Sequence, residues 1–176
     1  MSAANLWRAE ASLRYARRRG LDDLERVFAS GSVPEHLDGS LDGRLVATTF
    51  GVGLDTVFEG IARLYLPWLG KSFDADAKQG RNRFVRSARP FIGVFWPGYR
   101  DFTSEHDGVF SAFAFDTSVG PSTTDPSVSV LRIDYAGTSP WPVRLVLDEL
   151  VDVGDGEHLG QALMRWRGRS RRVAWF

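Results

Sequence analysis

The sequence contains no cysteine, which removes disulfides, thiolate nucleophiles, iron–sulfur clusters and thiolate zinc sites at once. Histidine is almost as scarce: His36, His106 and His158 show neither HxH nor HExxH spacing, so no metal centre is expected. Net charge is missing too, because 22 basic and 22 acidic side chains cancel and leave no global field to gather nucleic acid or an anionic surface. No stretch approaches the roughly 18 to 20 apolar residues that cross a bilayer. The best, Ile61 to Leu69, is interrupted by Arg63 and Pro67. The first twenty residues lack the apolar core of an export signal, since Arg8, Glu10, Arg14 and the Arg17 to Arg19 run break them up. These absences predict a soluble, cytoplasmic protein with no nucleic-acid partner and no integral membrane segment.

What is present fits a single globular domain over 1–176, with 43% hydrophobic and 25% charged residues. Leu6, Ala9, Leu13 and Ala16 recur at spacings of three or four and predict a helix ended by Gly20. Leu21, Leu24, Val27 and Phe28 predict a second, stopped at Ser30-Gly31, so 1–31 reads as a helical appendage. Its apolar stripe needs a partner, either an end of the main body in a monomer or the same stripe in a homodimer.

From Gly39 the texture changes to short runs rich in valine, phenylalanine and tyrosine between glycine, proline and aspartate clusters. Strands are predicted near Ser40–Thr49, Leu69–Phe73, Arg81–Ser87, Phe91–Trp96, Val109–Thr117, Ser127–Tyr135, Val143–Val153, His158–Trp166 and Arg171–Phe176. One helix, Leu54 to Leu66, interrupts the series after the first strand. Consecutive strands with short connections pair antiparallel, and a sheet of this size curls or closes. The expected fold is therefore mainly β, a closed antiparallel barrel of about eight strands over 37–176, with a sandwich as the alternative.

The segments Pro67–Asp74 (PWLGKSFD), Gly80–Phe84 (GRNRF), Leu131–Tyr135 (LRIDY), Leu147–Leu150 (LDEL) and His158–Ala162 (HLGQA) together resemble a group of uncharacterised bacterial proteins with a lipocalin-like, or calycin-like, barrel. The resemblance covers about Leu37 to Phe176, and the terminal hairpin is distantly similar to nitrobindin-like barrels. It implies a barrel with an interior cavity and supplies no catalytic residues. The nitrobindin similarity brings haem into view, with His158 or His106 as the axial imidazole. The Gly39 to Gly51 segment carries no tryptophan between paired glycines, and no cofactor is expected.

Strand alternation sorts side chains onto faces. In Ser127–Tyr135 the face bearing Leu131, Ile133 and Tyr135 is read as interior, which aims the Tyr135 hydroxyl at a cavity or leaves it at the rim. In Val143–Val153 the stripe Val143, Leu145, Leu147, Glu149, Val151 and Val153 is apolar except for one carboxylate. Glu149 is thus a candidate general acid or base, or a buried partner of Lys71 or Arg132. The other face, with Arg144, Asp148 and Asp152, is read as solvated, with Arg144 and Asp148 as an ion pair.

Lys71 is one of two lysines and sits between Trp68 and Phe73. Such a lysine contacts a ligand or snorkels along Trp68. Asn82 is either a turn residue or an interior amide. Phe91, Phe95, Trp96, Tyr99 and Phe102 either line a pocket mouth or pack the core. Gly51-Val52-Gly53 is a strand-to-helix turn rather than a phosphate loop. Arg165, Arg167, Arg169, Arg171 and Arg172 flank a hairpin turn.

The expected function is binding of a small apolar or amphipathic molecule in the barrel, with Trp68, Lys71, Phe73, Asn82, Phe91, Phe95, Trp96, Tyr99 and Tyr135 as contacts. The Leu54–Leu66 helix and the Phe91–Phe102 segment would close the barrel ends. The alternative is an isomerase-, lyase- or cyclase-type enzyme using Glu149 and Tyr135 as catalytic groups, with Lys71 or Tyr135 orienting the substrate. Haem binding is the third reading.

Overall fold

The computed structural model describes residues 4–49, 68–105 and 108–176. The helix expected at Leu54–Leu66, the Gly51-Val52-Gly53 turn and His106 lie outside the described residues.

Two helices open the chain, α1 (Ala4–Tyr15) and α2 (Arg17–Ala29). The break between them falls at Ala16 (φ −149°, ψ 75°) rather than at Gly20. Gly20 instead sits inside α2 at the crossing point, where a Cβ would lie 2.6 Å from the Leu13 backbone nitrogen. Its missing side chain is used for close packing of two helices, not for termination.

The strands follow as β1 (Gly39–Asp42), β2 (Ala47–Thr48), β3 (Trp68–Asp74), β4 (Gln79–Val85), β5 (Thr103–Ser104), β6 (Val109–Pro121), β7 (Ser129–Asp134), β8 (Val146–Gly154), β9 (Glu157–Trp166) and β10 (Arg169–Trp175). Every pairing is antiparallel. The hydrogen-bonded path runs β1-β3-β4-β6-β7-β8-β9-β10-β2, with β5 added on β6. Phe91–Trp96, expected as a strand, is instead helical, because Pro90 fits the first turn of α3 (Arg89–Phe95), which follows a 3-10 turn at Arg86–Ala88. Similarly Val143–Leu145 is a 3-10 turn after Pro142, so β8 begins only at Val146.

The sheet curls into an open half-barrel, not a closed barrel. The first strand segment divides: Gly43 N–H still donates to Leu69 on β3, and Val46 N–H already donates to Trp175 on β10. Among the described residues β1 and β2 therefore lie at opposite edges, joined by residues 43–46, and do not pair with each other. Curvature comes from bulges in the β3/β4, β4/β6, β8/β9 and β9/β10 pairs. In β6 the bulged residue is Phe113, at φ +55°.

Each sheet face has its own core. On the outer face Leu6, Ala9, Leu24, Val27 and Phe28 of the helices bury against Val128, Val130, Val151, Val153, Leu159 and Trp175. The Phe28 and Trp175 rings meet edge to face at 5.5 Å. On the inner face Trp68, Phe73, Phe84, Phe110, Phe113, Phe115, Ile133, Tyr135 and Leu150 form an aromatic core. Ile133 and Tyr135 thus face inward, as alternation predicts. For β8 the stripe read as apolar is buried, but the face read as solvated is buried too. Asp148 and Leu150 point into the curl, whereas the Glu149, Val151 and Val153 face lies under the helices. Apolar alternation could not separate them, because both faces of β8 are covered.

Candidate functional site

β3 carries Trp68 and Lys71, and its register sets Lys71 directly opposite Asn82 on β4. Three strands further along the path, β8 contributes Asp148, and the residue following β7 is Tyr135. The curl brings all five together. Lys71 Nζ donates to Asn82 Oδ1 (2.8 Å), Tyr135 Oη (2.6 Å) and Asp148 Oδ2 (2.8 Å). An ammonium has three protons, so this set engages every one. Asn82 Oδ1 also accepts from Trp68 Nε1 (3.1 Å), while Tyr135 Oη accepts from Asn82 Nδ2 (3.0 Å) and donates to Asp148 Oδ2 (3.0 Å).

Aromatic rings enclose the ammonium, with Nζ 5.4 Å from the Trp68 centroid, 5.3 Å from Phe115 and Tyr135, and 5.2 Å from Phe176. Burial drives the Lys71 pKa below its ordinary value, against the attraction and hydrogen bond of Asp148, which pull it up. Asp148 itself is 1% exposed, and its second oxygen, Oδ1, has no hydrogen-bond partner among the described residues. The pair is a desolvated charge couple whose acceptor side is incompletely satisfied.

The bulge in β6 explains Asn82 and Tyr99. Skipping Phe113 in the β4/β6 ladder leaves its backbone groups without strand partners. The Phe113 N–H donates to Tyr99 Oη (2.6 Å), and its carbonyl accepts from Asn82 Nδ2 (3.3 Å). Asn82 is thus an interior amide at mid-strand, not a turn residue. It ties the bulge to the lysine cluster.

Beside the cluster lies a cavity of about 430 Å³, whose wall includes Leu41, Trp68, Lys71, Phe73, Leu150 and Phe176. That volume suits a small ligand. His158 stands at its rim, 4.0 Å from Asp152 Oδ2. Burial lowers the His158 pKa, opposed by Asp152 and Glu157.

The structure therefore gathers Trp68, Lys71, Asn82 and Tyr135, with Phe73 packed edge-on against Phe115 at 5.5 Å. It does not bring Phe91 and Phe95 to the cavity: both project from α3 into solvent, 65% and 60% exposed. Trp96 and Tyr99 are half-buried on the inner core and do not line the cavity among the described residues. Glu149 is fully buried but faces away from Lys71, held by Ser122 Oγ (2.6 Å), Thr123 N–H (2.7 Å) and Gln161 Nε2 (2.7 Å). Neither Lys71 nor Arg132 pairs with it, although Arg132 is its register partner on β7. Asp148 does not pair with Arg144, whose guanidinium donates to the Ala136 carbonyl (3.2 Å). Within the terminal hairpin Arg165 binds Asp134 and Arg172 binds Glu25 and Gln161, so these two arginines are structural.

Asp148 is the residue that sequence reasoning missed. The available signal was its flanking pair, Val146 and Leu150, both apolar and on the same face. Phe115 and the terminal Phe176 were missed as walls of the lysine cage for want of any local pattern.

No family model, no curated protein and no solved structure matches the chain.

Proposed function

We propose that the half-barrel binds a small, mostly apolar molecule in the cavity beside Lys71. The observation that carries this reading is the cavity itself: about 430 Å³ with Leu41, Trp68, Phe73, Leu150 and Phe176 on its wall, the buried Lys71 ammonium at its side, and Glu10, Asp42, Arg44, Glu157 and His158 also in the lining. Aliphatic and aromatic walls favour apolar surface, and a few fixed polar groups orient a ligand. All three ammonium protons of Lys71 are engaged within the protein. A ligand carboxylate would have to displace Asn82, Tyr135 or Asp148 to reach it; Arg44, also on the wall, is already bound to both Glu10 oxygens at 2.6 Å, and burial lowers the His158 pKa, so neutral molecules are favoured over fatty-acid anions.

The acid–base reading has weaker support. Its proposed catalyst, Glu149, lies on the opposite face of β8 from Tyr135 and Lys71.

Titration of the full chain with farnesol and, separately, palmitate, followed by tryptophan emission, tests the proposal. Saturable quenching by farnesol that is lost in Leu150→Trp, a variant that fills the cavity, is the expected result. Equal quenching in Leu150→Trp, or no saturable response from either compound, would overturn it. Circular dichroism of the variant checks that the sheet is intact.

A further inference from the structure

The seven-residue helix α3 buries one side and exposes the other. Ile92 is fully buried and Ala88 nearly so, whereas Phe91, Val94 and Phe95 are 65%, 76% and 60% exposed. Trp141, also 65% exposed, adjoins them, because Trp96 Nε1 donates to the Trp141 carbonyl at 2.6 Å and the Phe95 and Trp96 rings lie 6.1 Å apart. Phe91, Val94 and Phe95 thus share one outward face of α3, and the exposed Trp141 is tied to the end of that helix through its backbone carbonyl. Isolated exposed hydrophobics are ordinary, but a contiguous group marks an interaction surface.

The segment that carries α3 is basic. Residues 77–100 contain Lys78, Arg81, Arg83, Arg86, Arg89 and Arg100 and no aspartate or glutamate. Arg81 is engaged by Asp101, and Arg83 by Asp42 and Glu105. Arg86, Arg89 and Arg100, and Arg144 beside Trp141, are exposed and form no ion pair among the described residues. Arg89 lies over the Phe102 ring, on the side of α3 away from Phe91, Val94 and Phe95, and Arg100 donates to the carbonyls of Pro97 and Tyr99 just beyond the helix.

We infer that this patch docks on an anionic phospholipid surface, with Phe91, Val94, Phe95 and Trp141 entering the headgroup boundary and the arginines meeting lipid phosphates. Phenylalanine and tryptophan on the apolar side, with arginines around them, is the chemistry of interfacial binding. A second copy of the chain fits less well. A two-fold contact would set the same unpaired arginines against each other, and like charges facing across an interface oppose association.

The test is co-sedimentation of the full chain with phosphatidylcholine vesicles and with vesicles also containing phosphatidylglycerol. The chain should pellet with the anionic vesicles, and 0.5 M salt should release much of it, the concentration being about that needed to screen charge beyond a few ångströms. Removing two cations in Arg86→Gln/Arg100→Gln should weaken anionic binding about thirtyfold, at about one Debye-screened contact per arginine. Phe91→Ser/Phe95→Ser should weaken binding to both vesicle types. All four side chains are exposed, so the melting temperature should be unchanged. Bromine-labelled lipid should quench emission from Trp141, and less so in Trp141→Phe. A chain that stays in the supernatant with both vesicles overturns the inference, as does pelleting unchanged by either double substitution. Dimers that Phe91→Ser/Phe95→Ser dissolves, without vesicle binding, would assign the patch to self-association instead.

Discussion

Lys71 and Asp148 stand 77 residues apart in the chain and meet at 2.8 Å inside the sheet, although β4, β6 and β7 separate their strands. Only curvature can produce that contact. The pair is therefore a direct reporter of whether the half-barrel has formed.

Breaking the pair from one side leaves a buried charge uncompensated. Lys71→Met and Asp148→Leu should each cost about 3–5 kcal/mol, read from urea denaturation. The double variant, with two apolar side chains in the same space, should lose clearly less than the sum. Additive losses would show that the two groups are not coupled in the folded protein.

His158 gives the stability a pH dependence of known sign. Burial holds its folded pKa below the ordinary value near 6.5. In the window between the two, the unfolded chain binds the extra proton and the native chain does not, so stability rises with pH there and is level above 6.5. Denaturation midpoints should fall as pH drops through 6.5, and His158→Gln should flatten that part of the profile. An unaltered slope in the variant would place the titration elsewhere.

Gly70 is at φ +137°, and a Cβ there would collide with the Leu41 carbonyl oxygen on the paired edge strand. Gly70→Ala should destabilise by about 1–3 kcal/mol through backbone strain alone, and more where β1 is pushed off the sheet. Gly98→Ala, with open space around its Cβ, is the matched control and should be near neutral.

Leu24 is fully buried between α2 and the outer sheet face. Leu24→Ala should cost about 2–5 kcal/mol in chemical denaturation. A loss under about 1 kcal/mol would mean that the helices contribute little to the sheet's stability.

Composition and punctuation made the antiparallel sheet and the two leading helices legible, because β-branched and aromatic runs between glycine and aspartate turns admit few other readings. Closure was not legible. It depends on how residues 43–46 are placed between two sheet edges, and nothing local in Gly43-Arg44-Leu45-Val46 announces that the strand divides there. At the site, Lys71 was conspicuous for its rarity and its aromatic neighbours. Asp148 was hidden by β8, whose residues 147–151 are all buried, so that period-two reasoning could name two faces but not which one the curl encloses. Glu149 attracted attention for breaking an apolar stripe, and the Ser122 to Thr124 loop that satisfies it lay beyond any local window.

The hydrogen bond of Val46 N–H to the Trp175 carbonyl, and the edge contact of Phe28 with the Trp175 indole, also impose an order on synthesis. A chain made from its amino end produces α2 long before β7, β8, β9 and β10, so the stripe of Leu24, Val27 and Phe28 waits for its cover while the intervening strands are made. Contacts of this sequence separation are slow to form and leave apolar surface open in the interval. A nascent chain halted before Arg169 would leave Phe28 without the Trp175 indole against it and would present an uncapped β9 edge to whatever chaperones attend the ribosome. The stripe is fully covered only once β10 has been made.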